Sequence, residues 1–192
     1  MNSRTLGLAC MVGSGVAALD GIRLILSQHR DIPGFRDVDT LDAVAQVVWA
    51  LGMGFGFLAL LALRATGDRQ IYRWLTWVPV VGSALGIVGF ALLLAGVPTS
   101  RNIPGIAGQL LSQLGLLVVA ILVLVVKNWR SWRRYTPLTV ILTIPLGAVL
   151  VELTTLDGVF ILLNASAWLL LGYALFTTAP ARELVLRADR PV

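Results

Sequence analysis

The side chains best suited to chemistry are carboxylates, carboxamides and one arginine that stand inside or beside long apolar segments. Asp20 and Arg23 lie three residues apart in the first such segment, so a helix would place them on one face as an ion pair. A charge at the membrane centre costs on the order of 2–3 kcal/mol, and such residues usually face the bundle interior or water. Asp20 and Glu152 are therefore the candidate titratable groups of a buried site, and Arg23 is its candidate anion-pairing group.

Further polar residues occur in three pairs with helical spacing. The members of each pair are one or two turns apart, so they share a helical face. In chain order the pairs are Asp42 with Gln46, Gln109 with Gln113, and Asp157 with Asn164. If these faces point inward, they predict an outward-facing polar pocket that also includes Asp20, Arg23 and Glu152.

A purely structural role for the same residues is the alternative. Asp42, Asp157 and Glu152 would then lie at the headgroup level as helix caps and helix ends. Arg23 would extend its charged head outward to the interface, and the two glutamines of the fourth segment would hydrogen-bond between helices. The choice between pocket and structure depends on whether the polar faces converge.

The composition indicates the elements that must position these side chains. The chain has 192 residues, of which 57% are hydrophobic and only 13% charged, with a mean hydropathy of +0.86. Soluble domains carry about 25% charged residues. Apolar blocks of about 20 residues match a hydrocarbon core ~30 Å thick when they are helical. The sequence therefore predicts an all-α integral membrane protein.

We predict a single domain over 1–192, a bundle of six transmembrane helices with short loops. The predicted helices cover 5–27, 41–63, 74–97, 104–126, 136–153 and 158–178. The first apolar block runs past Asp20 to Leu26, which favours a retained helix over a cleaved signal peptide.

The basic residues predict the orientation. Those in the even loops and near the two termini are Arg4, Arg64, Arg69, Arg73, Lys127, Arg130, Arg133, Arg134, Arg182, Arg187 and Arg190. The first and third loops hold only Arg30, Arg36 and Arg101. This bias predicts a bacterial-type plasma-membrane protein with both termini cytoplasmic. An aromatic belt is predicted at the inner interface, formed by Trp74, Trp77, Trp129, Trp132 and Tyr135.

Small residues recur at every fourth position of the first helix, at Ala9, Gly13, Ala17 and Gly21. Such stripes let helices approach closely, either within one bundle or in a homodimer. The expected partners are the lipid bilayer and either a second copy or another membrane protein. The net charge of +5 comes from residues in short loops, so we expect no nucleic-acid partner.

The chain offers little for cofactors or covalent catalysis. It has one cysteine, Cys10, and one histidine, His29, which excludes an intrachain disulfide and a multi-histidine metal site. We therefore expect no cofactor, no metal and no catalytic residue. An intramembrane enzyme would require two reactive groups in reach of each other, and only Asp20 with Glu152 fits that requirement.

The predicted function is that of a non-enzymatic membrane protein, either an accessory subunit or a binder of a lipid or small molecule. The alternative is a small oligomeric transporter or channel. That alternative requires a polar path from the outer pocket to the inner face, past Ser14, Ser83 and Thr139.

Overall fold

The computed structural model describes residues 2–30, 39–97, 102–129, 131–154 and 156–178. Within these ranges the chain is helical and forms no strand. The helices are α1 (Ser3–Arg30), α2 (Asp39–Ala62), α3 (Gln70–Leu94), α4 (Ile103–Val126), α5 (Thr136–Thr154) and α6 (Asp157–Thr177), with a 3-10 turn at Ser131–Tyr135 before α5. All six are long and apolar enough to cross a bilayer, which is compatible with a multi-pass membrane protein.

The observed helix ends differ most from the predicted ones at α3, which was expected over 74–97. Hydropathy alone excludes the polar residues before Trp74 from the predicted helix. In the structure they form its first turn from Gln70 onward, and the N–H of Tyr72 donates to the carbonyl of Arg69 at 3.0 Å. The helix ends at Leu94 because the chain turns at Gly96, whose φ of +83° suits glycine.

The two ends of the bundle differ in charge. The basic end carries the start of α1 and the α2–α3 and α4–α5 connections. Its described cations are Arg4, Arg64, Arg69, Arg73, Lys127, Arg133 and Arg134. The opposite end, which we call the acidic end, carries Glu152 in the last turn of α5 and Asp157 in the first turn of α6.

Glycines set the packing of α1 against its two neighbours. A Cβ atom on Gly13 would lie 2.7 Å from the Cα of Gly52 in α2. A Cβ on Gly21 would lie 2.9 Å from the backbone nitrogen of Leu162 in α6. The small-residue stripe of α1 is thus used for contacts within the chain.

Helices α3 and α4 form a second close pair. A Cβ on Gly108 would lie 2.3 Å from the backbone nitrogen of Gly86, and one on Gly115 would lie 2.5 Å from Cδ of Pro79. Asn102 joins the two helices at the acidic end. Its Nδ2 donates to the carbonyl of Gly89 at 2.9 Å, and its Oδ1 caps α4 by accepting from the N–H of Gly105 at 3.0 Å.

The six helices pack in chain order, and α6 returns to α1. Helix α5 packs mainly on α6, where Phe160 covers Gly147. Its contact with α4 is smaller. Because α1 and α5 lie on different faces of α6, residues of α1 and α5 are kept apart.

The hydrophobic core lies in the middle of the bundle and in the half toward the basic end. Its buried members are Leu6, Cys10, Phe57, Ala59, Leu60, Ala65, Leu116, Val119, Val123, Trp129, Val140, Ala167, Trp168, Leu171, Ala174 and Leu175. At its centre the rings of Phe57 and Trp168 meet edge to face, with centroids 5.2 Å apart. Such a contact adds about 1 kcal/mol to the area that the rings bury.

One predicted belt residue belongs to this core. Trp129 is only 5% exposed, so its indole packs inside the protein, unlike the other aromatic side chains at the basic end. The connection after α4 folds back over the bundle and brings the indole inside. Trp74, Trp77, Trp132 and Tyr135 are exposed at the basic end, as an interfacial belt requires.

Candidate functional site

The inward face of α2 changes from apolar to polar along its length. Residues seven apart lie on nearly the same helical face. Leu60 is fully buried in the core, and Met53 packs against that core. The next position of this stripe toward the acidic end is Gln46, which is half-buried. The stripe that builds the core therefore ends in a carboxamide.

Helix α4 repeats this pattern. Val123 and Leu116 are core residues with almost no exposed surface. The position seven residues further toward the acidic end is Gln109, and it is exposed. Because a residue on the inward stripe is exposed, the described side chains pack less tightly around Gln109 than they do in the core.

Helix α6 carries the third such stripe. Leu171 is fully buried, Asn164 is 3% exposed, and Asp157 is exposed at the acidic end. Asn164 is held in place by a neighbour, because its Nδ2 donates to Oγ1 of Thr143 in α5 at 2.8 Å. Three inward stripes thus carry Gln46, Gln109, Asn164 and Asp157 toward the acidic end.

A cavity of about 360 Å³ lies between α3 and α4 in this half of the bundle. It is lined by Gly86, Gly89, Phe90, Leu93, Asn102, Gly105, Ile106, Gln109 and Leu110. Phe90 lies two turns from Ser83, the residue that meets Gly54 of α2, and Gln109 lies two turns from Leu116 of the core. Part of each wall therefore belongs to a face that turns toward the other helices, while the lining residues Ile106 and Leu110 are exposed on the surface.

The cavity owes its space to missing side chains. A Cβ atom on Gly86 would meet no heavy atom within 4 Å, so this position opens directly into free volume. Gly89 cannot carry a side chain, because its Cβ would lie 2.3 Å from the Cα of Gly105. Volumes of ~300–1,000 Å³ are typical of small-ligand pockets.

Two carboxamides stand in the cavity wall, and they differ in exposure and in the bonds they already make. Asn102 is 3% exposed, and its two amide atoms are used in the bonds to Gly89 and Gly105. Gln109 is exposed and makes no hydrogen bond with another described residue. Its amide can both donate to and accept from a bound molecule.

Of the six buried side-chain polar atoms that have no hydrogen bond within the described part of the chain, two lie on α2 and α3. They are Nε1 of Trp49, on the same side of α2 as Met53, and Oγ of Ser83 in α3. A buried polar atom without a hydrogen bond costs about 1–3 kcal/mol, and native proteins hold few of them.

The predicted ion pair forms within α1. Arg23 donates to Oδ1 of Asp20 from both Nε and Nη2, at 3.0 and 2.9 Å. The side chain of Arg23 is 18% exposed and that of Asp20 is 6% exposed, so the pair is largely buried. Asp20 lies two turns from Gly13, the contact residue for α2, so it shares the face of α1 that packs on α2, and it does not line the α3–α4 cavity. Its second oxygen, Oδ2, is buried without a hydrogen bond.

The remaining predicted site residues lie at different levels. Glu152 is exposed in the last turn of α5, and α6 stands between it and Asp20. Gln113 is half-buried just before the midpoint of α4. The side chain of Asp42 lies outside the described residues. The candidates with described side chains thus lie on α1, α2, α4, α5 and α6, and Asp20 and Arg23 are joined by an ion pair.

The hydroxyl groups of Ser14 and Thr139 hydrogen-bond to the backbones of their own helices. Ser14 is fully buried and donates to the carbonyl of Cys10 at 2.8 Å. Thr139 donates to the carbonyl of Thr136 at 2.7 Å. Such bonds satisfy each hydroxyl hydrogen locally, and these side chains form no polar line through the apolar core.

Two residues that matter for this site were not singled out from the sequence. Asn102 stands directly before Ile103-Pro104, and Asn followed by proline in the first turn is a helix-start signal that could have identified it as a cap. Thr143 lies in a run of apolar residues, and no local pattern marks it as the partner of Asn164.

No group of three or more His, Cys, Asp or Glu side chains suited to a metal ion occurs within the described ranges. Comparisons with known protein families, with curated proteins and with solved structures found no match to the chain.

Proposed function

We propose that this chain is a non-enzymatic multi-pass membrane protein that binds a lipid or another small molecule in the α3–α4 cavity. The observation that carries the proposal is the change along the inward stripes: the helical faces that build the core become polar toward the acidic end, and on α4 the polar position, Gln109, lines an open cavity. The cavity lies in the acidic half of the bundle. With the basic end cytoplasmic in a bacterial-type plasma membrane, as the charge bias favours, the cavity faces the outer side.

A structural role accounts for some of these residues but leaves others unexplained. Asn164 and Asn102 are bonded to neighbouring helices, which is the function of polar residues that hold helices together. Gln46 and Gln109 have no such partners among the described residues, although they stand on inward faces. Polar side chains are costly in a membrane interior, so a binding role explains their presence better than packing does.

Transport across the membrane is the second candidate, and the core argues against it. A path to the basic end would have to pass the Phe57–Trp168 contact and the buried residues around it. Ser14 and Thr139, which could line such a path, already bond to their own backbones. These features support a closed floor beneath the cavity.

Filling the cavity tests the binding function. Gly86→Leu places a side chain where a Cβ meets nothing, and Ile106→Trp enlarges a wall residue that is 51% exposed. Native mass spectrometry of wild-type protein, extracted gently from its own membranes, is expected to show one bound molecule of a few hundred daltons. Each variant is expected to lose most of that bound mass while keeping its unfolding temperature.

Two control variants separate cavity filling from a general surface effect. Gly15→Leu also adds a side chain in open space, but on α1, away from the cavity. Ile103→Trp enlarges an exposed residue of α4 that does not line it. Both are expected to retain the bound molecule. Equal retention in all four variants would overturn the proposed function.

A further inference from the structure

The chemistry of the cavity wall restricts what can bind there. Seven of its nine lining residues are glycine or hydrocarbon side chains, the other two are carboxamides, and none is ionisable. Asn102 is buried and each of its amide atoms already makes one bond, so the exposed Gln109 is the more accessible polar side chain for a ligand. We infer that the ligand is an uncharged amphiphile: a hydrocarbon body with one small hydrogen-bonding group, as in a long-chain alcohol or a diacylglycerol.

A charged ligand does not suit this wall. Moving an ion out of water costs several kcal/mol unless an opposite charge meets it, and no lining residue supplies one. The Asp20–Arg23 pair, which could have served a charged group, does not line this cavity, and its two members neutralise each other. A hydroxyl or ester group costs far less to bury, and one hydrogen bond from Gln109 offsets most of that cost.

The cavity wall continues onto the apolar surface of the bundle. Ile106 and Leu110 line the cavity and are 51% and 59% exposed. A molecule dissolved in the bilayer can therefore reach the cavity along hydrocarbon surface. Gln109 stands six residues into α4, which places its amide roughly 9 Å below the start of the helix at 1.5 Å per residue. A small polar group suits this depth better than a large hydrated headgroup.

A competing apolar groove lies on the α1–α2 surface. Its volume is also about 360 Å³, and it is lined by Thr5, Leu8, Ala9, Val12, Gly13, Val48, Leu51, Gly52 and Phe55. Its single side-chain polar group is the hydroxyl of Thr5. Any test must therefore identify which of the two sites is occupied.

Photoaffinity labelling in lipid nanodiscs tests the inference, which rests on the proposed binding function. Three probes share one diazirine-bearing alkyl chain and end in a hydroxyl, a sulfonate or a trimethylammonium group. The alcohol is expected to label peptides of α3 and α4 around Phe90 and Ile106 about tenfold more than either ion does. Gly86→Leu is expected to abolish that labelling, and Gly15→Leu is expected to preserve it.

A matched pair of variants tests the role of Gln109. Gln109→Leu is expected to reduce alcohol labelling of α3–α4 about fivefold, which corresponds to the loss of one hydrogen bond. Gln113→Leu, one turn further along α4 and outside the cavity lining, is expected to leave it unchanged. A probe with a plain alkane end should label both variants equally.

The possible results separate this inference from the proposed function. Equal or stronger labelling of α3–α4 by either ionic probe overturns the uncharged class, while the binding function stands. Labelling that falls on α1–α2 instead assigns the ligand to the other groove and overturns the site. If no probe labels α3–α4 above the Gly86→Leu background, and no bound mass is found, both proposals fail.

Discussion

Gly108→Ala is expected to destabilise the protein by about 2 kcal/mol, which lowers the unfolding temperature by roughly 5 °C for a chain of this size. The added methyl group would lie 2.3 Å from the backbone nitrogen of Gly86 and 2.8 Å from the carbonyl oxygen of Gly82. Neither atom can rotate away, because both belong to the backbone of α3. The helices must separate, and close contact is the main source of helix association in lipid. Thermal unfolding in detergent micelles measures the effect.

Gly86→Ala is the matched control, because it makes the same chemical change at the same helix crossing. Its Cβ meets no heavy atom within 4 Å. Alanine also favours the helix over glycine, so this variant is expected to be as stable as the wild type or slightly more stable. Equal unfolding temperatures of the two variants would contradict the close approach of Gly108 to the backbone of Gly86, which sets the α3–α4 packing beside the cavity.

Arg23→Gln is expected to destabilise the protein by about 3 kcal/mol, because it leaves the Asp20 carboxylate buried without its partner. Asp20 is 6% exposed on its side chain, and the two hydrogen bonds from Arg23 both end on Oδ1. The double variant Asp20→Asn with Arg23→Gln removes both charges. It is expected to recover about half of the loss, since no buried ion remains. Unfolding temperatures of the wild type, the two single variants and the double variant complete the cycle.

The exposed pair Arg64–Asp68 is the control for this cycle. Its side chains are 60% and 73% exposed, although its ion-pair distance of 2.7 Å is shorter. Exposed pairs contribute at most about 1 kcal/mol, so Arg64→Gln is expected to change the unfolding temperature little. A loss at Arg64 as large as that at Arg23 would contradict the burial of the Asp20–Arg23 pair.

Hydropathy was sufficient to predict the six helices and most of their ends, because each apolar block has the length that a bilayer requires. It fails where the backbone is helical but the side chains are polar, as in the first turn of α3. It also could not predict the burial of Trp129, because an aromatic residue in a connection can be exposed at a membrane interface or buried in a core. Only the path of the chain after α4 decides between them.

The site was predictable as far as helical geometry determines it. The spacing of Asp157 and Asn164 predicts a shared face, and in the structure both lie on the stripe of Leu171. Which face turns inward depends on contacts between helices, and these are set by glycines whose partners lie far away in the sequence. For that reason the sequence could not show that Asp20, on the face of α1 that carries Gly13, lies outside the lining of the α3–α4 cavity.

The level of each residue in the membrane is similarly a property of packing. Gln113 is predicted in the outer half because the fourth helix begins outside, and it lies just before the midpoint of α4. The α3–α4 register sets Ser112, its neighbour, against Gly82 near the middle of α3. A stripe of small residues shows that a helix packs closely but does not show at which register.

Cysteine accessibility in intact cells tests most directly whether the acidic half holds an open cavity above an apolar floor. In a Cys10→Ala background, single cysteines replace Gln46, Gln109, Ala120 and Leu114, and a membrane-impermeant thiol reagent is added from outside. Gln46 and Gln109 stand on inward stripes, Ala120 is fully buried in the lower half of α4, and Leu114 is 60% exposed on the outer surface of α4. Labelling at positions 46 and 109, with protection at 120 and 114, is the predicted result. Protection at all four positions would contradict the account and identify the protein as a packed structural bundle, and labelling at 120 would show a path through the core.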